Sequence, residues 1–333
     1  MKLTLVLAST AGILIAVGLI AAYGFGSILE ALRAVGWGAA LVALVRCTET
    51  AGAGLAWRLL LTLPRPNLGP ICIMLRWVRE SINSLLPVAQ VGGEVAGARL
   101  LGFFGVPGST AGASVLVDLL VQTASQFLFT IVGLGFLVSF GGGEEMVGAV
   151  ALGLAVMGPA LAGFFAVQRY GGIQLVERVV ARFAKDPQWA VLGGLQALND
   201  QLLAIYAAPG RVAAAFVLHL AIWFFGVFEI WTALRFMGHP VSYAQALVIE
   251  SLGQAVRGAA FVVPGAIGIQ EGGFVALCAV FGIPAPVAVA LSLVKRLPEI
   301  LLGIPGLFLW QGLESRHLLA SATVAEAPQT AQK

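Results

Sequence analysis

The stretch Pro87-Val-Ala-Gln-Val-Gly-Gly-Glu94 decides how this sequence is read. It is a polar, glycine-rich break between two apolar pieces, residues 69–86 and 92–104. Each piece is shorter than the roughly 20 residues a spanning helix needs, so the pattern predicts a helical hairpin that dips into a membrane and returns. A second break, Pro264-Gly-Ala-Ile-Gly-Ile-Gln-Glu271, lies between apolar pieces 241–263 and 267–281, at a constant offset of 177 residues. At that offset Pro87 meets Pro264, Glu94 meets Glu271, Gly105 meets Gly282 and Pro107 meets Pro284, and seven of 21 aligned positions are identical without a gap. Leucine, alanine and glycine matches are cheap in so apolar a chain. The weight therefore falls on two prolines and a glutamate in shared register.

Outward from the breaks, longer apolar runs read as spans at 3–22, 37–63, 108–140, 146–167, 212–237 and from Pro284 to 310. The first is read as a helix rather than a signal peptide, because no small-residue cleavage site with a polar flank follows it. Residues 170–208 form an amphipathic linker at the membrane surface. Its second helix puts Leu192, Leu195, Leu198, Leu202 and Ile205 opposite Gln196, Asn199 and Asp200. The tail, 314–333, is expected to be disordered. The fold class is thus all-α, a polytopic integral membrane protein in which residues 37–140 and 212–312 are two repeats with re-entrant hairpins.

Composition agrees. Of 333 residues 59% are hydrophobic and only 11% are charged, against about 25% in soluble domains, which excludes a string of soluble domains. The net charge of +3 comes without a basic run suited to nucleic acid. Cys47, Cys72 and Cys278 stand far apart in apolar surroundings and read as small buried hydrophobes. No metal ligand cluster, phosphate loop or nucleophile elbow is present, so no cofactor is expected and enzymatic activity is not. If each hairpin returns to its own side, a cytoplasmic N-terminus puts Arg65, Arg76, the 169–211 segment and Arg316 inside with the C-terminus, and the 141–145 loop outside. The two repeats are then inverted, a transporter pattern.

The charges inside apolar segments form the pool from which a site must come, since each costs about 2.5–3.5 kcal/mol at mid-membrane. Glu94 and Glu271 follow glycine-rich backbone formed by Pro87, Gly92 and Gly93 and by Pro264, Gly265 and Gly268. Each is a candidate for headgroup contact or proton coupling, and equally a first-turn cap of its own helix. Asp118 and Lys295 are repeat mates of opposite charge that would pair across a pseudo-two-fold axis, with a local Lys295, Arg296, Glu299 group as the simpler reading. Arg46 with Glu49 and Glu229 with Arg235 read as structural pairs, and His219 as a buried, hydrogen-bonded histidine.

The run Arg79-Glu-Ser-Ile-Asn-Ser-Leu-Leu-Pro-Val-Ala-Gln-Val-Gly-Gly-Glu94, followed by Gly97-Ala-Arg99 and Asp118, resembles the lysylphosphatidylglycerol synthetase transmembrane, flippase-like family. It is most similar to the branch of bacterial inner-membrane proteins associated with hopanoid biosynthesis. The resemblance implies a bacterial inner-membrane protein that translocates lipid, with Arg79 and Arg99 added to the candidate contacts. Its implied cargo is a hopanoid or related polyisoprenoid lipid, and its implied partners are membrane lipids and lipid-biosynthesis enzymes. An intramembrane lipid-modifying enzyme or accessory subunit is the alternative reading.

Overall fold

The short apolar pieces beside each break fold as helices that lie on one another. The computed structural model describes residues 25–63, 67–86, 91–170, 189–260, 263 and 266–326, and the regular structure within them is entirely helical. In chain order the helices are α1 (Phe25–Val35), α2 (Gly38–Leu60), α3 (Leu68–Leu85), α4 (Gly92–Phe103), α5 (Gly108–Ser139) and α6 (Glu144–Arg169). They continue with α7 (Trp189–Tyr206), α8 (Pro209–Phe236), α9 (Tyr243–Ala259), α10 (Ile269–Ala279) and α11 (Ala285–Glu326).

The 177-residue offset is carried by these helices. Shifted by it, α4 and α5 begin on the first residues of α10 and α11, and α2 and α3 fall on α8 and α9 to within a few residues. The paired glycines now have a reason: Gly105 and Gly282 both take the left-handed backbone, φ 77° and 70°, where a side chain is strained. Each ends a short helix, and Pro107 or Pro284 then leads into a long one.

Each hairpin doubles back on itself. Gly93 of α4 lies against Arg79 and Asn83 of α3, and Gly273 of α10 lies against Val256 of α9. Mates α2 and α8 run antiparallel at the centre of the molecule, with Gly38 on Phe236, Glu49 on Gly226 and Gly52 on Ile222. The outer contacts are reciprocal, since α5 meets α9 through Gly133 on Ser251 and α11 meets α3 through Gly306 on Ser81. One apolar core, including Trp57, Leu75, Leu100 and Val115, sits in the first repeat; another, including Val227, Leu247, Phe274 and Leu291, sits in the second.

Four described helices, α2, α5, α6 and α8, are long and apolar enough to cross a membrane. Of these α6 has a mean hydropathy of 2.1 over a window none of which is buried in protein, as expected of a helix whose neighbours are lipid. The chain is a multi-pass membrane protein.

Several expectations change. Helix α11 continues to Glu326, through the first part of the tail expected to be disordered; that part holds Leu318, Leu319 and alanines, all good helix formers. Cys72 and Cys278 are buried as expected, but Cys47, on α2, is exposed. In α7, Leu202 and Ile205 pack on Leu60, Val117 and Ala215 as the pattern required. Asn199, assigned to its polar side, is buried instead, because α7 packs along α5 and not only on a lipid surface. The span at 3–22, Arg65 and the first half of the linker, 171–188, lie outside the described residues.

Candidate functional site

A cavity of about 590 Å³ opens between the two repeats, bounded by α2, α3, α5, α8, α9 and α11. Its wall carries Arg46, Arg76, Arg79 and Arg257 with Glu49, Glu80, Glu94 and Glu299. Neutral polar groups, Asn83, Gln122, Gln126 and Gln254, lie between them. One side is formed by α6, where Gly153 and Met157 line the cavity and are also exposed.

The first repeat supplies a network centred on Asp118. The fully buried carboxylate accepts from Arg76 Nη1 at 3.2 Å, Arg79 Nη1 at 2.9 Å and faces His219 Nε2 at 3.1 Å. Arg76 also donates to Glu80 Oε1 at 2.9 Å and Gln122 Oε1 at 2.9 Å, and Thr50 Oγ1 donates to Glu80 Oε2 at 2.9 Å. Arg79 bridges Asp118 to Glu94 and lies over the Trp57 ring, 4.7 Å from its centroid. Small residues make room for it: a Cβ at Gly97 would stand 2.6 Å from Arg79 Cδ, and one at Gly93 only 2.3 Å from the Arg79 carbonyl oxygen. Gly93 N–H in turn donates to Asn83 Oδ1 at 2.8 Å, tying the start of α4 to α3.

The second repeat centres on Lys295. Its ammonium donates to Glu229 Oε2 and Glu250 Oε2, both at 2.6 Å. Arg46 Nη2 donates to the same Glu229 oxygen at 3.1 Å, and Arg46 Nη1 lies 3.3 Å from Glu49 Oε2. Glu299 pairs with Arg257 and lies 4.0 Å from Arg46. Ion pairs this deep offset the desolvation of their members only while every partner is present, so deleting one partner costs about 3–5 kcal/mol.

The equivalent glutamates therefore sit differently. Both occupy the third position of their helices, but Glu94 reaches across to Arg79 at the cavity wall. Glu271 turns back onto its own helix start, accepting the Gly268 N–H at 2.6 Å, and also accepts from Arg296 Nε at 2.8 Å and Ser292 Oγ at 3.1 Å. Gly268 permits that turn through φ 82°. Glu271 is buried and is not among the cavity-lining residues. Gly92 is the first residue of α4; Pro87, Pro264 and Gly265 lie outside the described residues. Arg99, 57% exposed, forms a two-pronged pair with Glu314 on α11, at 2.9 and 3.0 Å, and does not line the cavity.

Four expectations read from sequence are corrected. Asp118 and Lys295 do not pair; each anchors the network of its own repeat. Lys295, Arg296 and Glu299 do not form a local group, because their side chains leave α11 in different directions toward Glu229, Glu271 and Arg257. Glu229 pairs with Arg46 and Lys295, while Arg235 lies over the Trp231 ring. Arg76 is buried within α3 and so is not a loop charge that orients the chain. The Arg46–Glu49 pair and a hydrogen-bonded His219 are present.

Sequence reading passed over Arg257 and Gln122, and counted Glu250 among the charges within apolar segments without giving it a partner. One signal was available: Glu80 and Arg257, like Asp118 and Lys295, are mates of opposite charge at the 177-residue offset, and both line the cavity.

The family model described as the lysylphosphatidylglycerol synthase TM region matches residues 6–306. The chain belongs to that family. The match takes in both repeats, the two buried networks and the cavity between them. No curated protein and no solved structure matches the chain significantly.

Proposed function

We propose that this member of the lysylphosphatidylglycerol synthase TM region family is a lipid transporter that passes a polar headgroup through the cavity while the tails stay in the bilayer. The observation that carries this reading is the cavity's split wall, with paired charges and amides on one side and the lipid-exposed Gly153 and Met157 on the other. A headgroup gains hydrogen-bonding partners inside, and the sideways opening leaves the tails in hydrocarbon. Glu94, Arg79 and Asn83 are the contacts nearest the broken backbone. Glu271 acts through helix α10, not on the cargo.

The antiparallel run of mates α2 and α8 supports inverted repeats, the arrangement by which one site is offered alternately to two sides. The basic, linker-bearing side is then cytoplasmic with both termini, in a bacterial inner membrane. Hopanoid or related polyisoprenoid cargo rests on the motif resemblance at 79–94. Transport, rather than lipid chemistry, fits a wall whose acids and bases are held in ion pairs.

The test is leaflet transfer of a headgroup-labelled hopanoid in liposomes containing the purified protein. Glu94→Gln, alone and with Glu271→Gln, is expected to abolish transfer while leaving folded protein. Full transfer by the double variant, or product formation without transfer by the wild type, overturns the reading.

A further inference from the structure

Counting charges in the second network leaves it one cation short. Arg46, Arg257 and Lys295 face Glu49, Glu229, Glu250 and Glu299, and the adjoining Arg296–Glu271 pair adds one charge of each sign. The first network has the same deficit, with Arg76 and Arg79 facing Glu80, Glu94 and Asp118. There His219 Nε2 lies 3.1 Å from Asp118 as a further partner. The second network contains no histidine.

The surplus has a place. Glu229 has no exposed side-chain surface, and although its Oε2 accepts from Arg46 and Lys295, its Oε1 accepts from no described residue. Glu49 is only partly satisfied as well, because its buried Oε2 faces Arg46 Nη1 at 3.3 Å but accepts no hydrogen bond. The two carboxylates are held on adjacent nitrogens of one guanidinium, Arg46 Nη1 and Nη2, at 3.3 and 3.1 Å, so they are close neighbours. Like charges this close, screened by little water, favour the protonation of one member.

We propose that Glu49 and Glu229 hold one proton between them, at a site that opens to the cavity through Glu49. The proton adds to an oxygen of one carboxylate, forming an O–H bond and removing one negative charge; the other carboxylate stays ionised against Arg46 and Lys295. Glu49 lines the cavity whereas Glu229 does not, which gives the proton a path from cavity water. A metal ion fits poorly beside Arg46 and Lys295, and among the described residues no group of three or more acidic, histidine or cysteine side chains is placed to hold one. The pair also lies on the seam between mates α2 and α8. Glu49 rests directly on Gly226, where a Cβ would stand 2.1 Å from its Oε1, so relative movement of these helices changes the pair's surroundings. Resting on the transporter reading, this makes the site a coupling point between proton and headgroup movement.

Infrared difference spectra of the protein in nanodiscs, recorded through a pH titration, test the site without requiring transport. The wild type is expected to show the carbonyl stretch of a protonated carboxylic acid, and Glu49→Gln and Glu229→Gln are each expected to lose it. Gly226→Ala, which displaces Glu49 but keeps every carboxylate, is expected to shift the band's pH midpoint. Glu144→Gln, at the exposed start of α6, retains it unchanged. Absence of the band in the wild type, or its persistence in both glutamine variants, overturns the proposal. In liposomes, wild-type transfer is expected to respond to an imposed pH gradient and transfer by Glu49→Gln is not; transfer indifferent to the gradient in the wild type overturns coupling, whereas absence of all transfer overturns the transporter reading while the spectra still decide the site.

Discussion

Arg79 shows how much one side chain does in this molecule. It is buried to 1% exposure, pairs with Asp118 and Glu94, and stacks on Trp57. Arg79→Met preserves much of the volume but takes the cation from Glu94 and one of two arginines from Asp118, and is expected to lower stability by about 3–5 kcal/mol, read as a fall in the thermal unfolding midpoint in detergent. Arg79→Lys should recover only part of this, since an ammonium cannot reproduce the planar fork that spans both acids. Arg99 is the contrast. Its exposed pair with Glu314 is screened by solvent, so Arg99→Ala is expected to cost below about 1 kcal/mol and leave leaflet transfer unchanged.

At the scale of an element, α4 depends on where its glycines fall. Gly93 touches the α3 backbone, whereas a Cβ at Gly102 meets nothing within 4 Å. Gly93→Ala is therefore expected to push α4 off α3 and destabilise by about 1–3 kcal/mol. Gly102→Ala should stabilise by up to about 1 kcal/mol through helix propensity alone. Unfolding midpoints of the two variants check both signs. Helix α7 is docked on α6 by Tyr206, whose hydroxyl donates to Gln168 Oε1 at 2.7 Å. Burial pushes this phenol from 10.0 up to about 12. The folded state thus holds its proton more tightly than the unfolded chain, so stability is unaffected below pH 10 and falls as pH rises from there toward 12. Tyr206→Phe should remove that dependence, measured as the difference in unfolding midpoint across the range.

For the whole molecule, the proposed inverted arrangement makes a prediction about sidedness. In a Cys47→Ser background, Gly143→Cys in the α5–α6 loop and Ala197→Cys on α7, both at exposed positions, are expected to react with an impermeant thiol reagent from opposite faces of sealed vesicles. Labelling from the same face refutes the topology. The sequence alone determined the helical membrane class, the two breaks, the 177-residue repeat and the short list of buried charges, because length, hydropathy and residue register are local properties of a chain. It predicted the local Arg46–Glu49 pair but not which charges on distant helices would meet. Asp118 and Lys295 were matched by register, yet each turned to its own network; Glu94 and Glu271 share a helix position, yet one lines the cavity and the other caps its helix. Which cation a buried acid meets depends on how helices far apart in the chain pack and where glycines let them approach. Only the tertiary structure decided that, by bringing α2 onto α8 and setting Arg46 between two carboxylates.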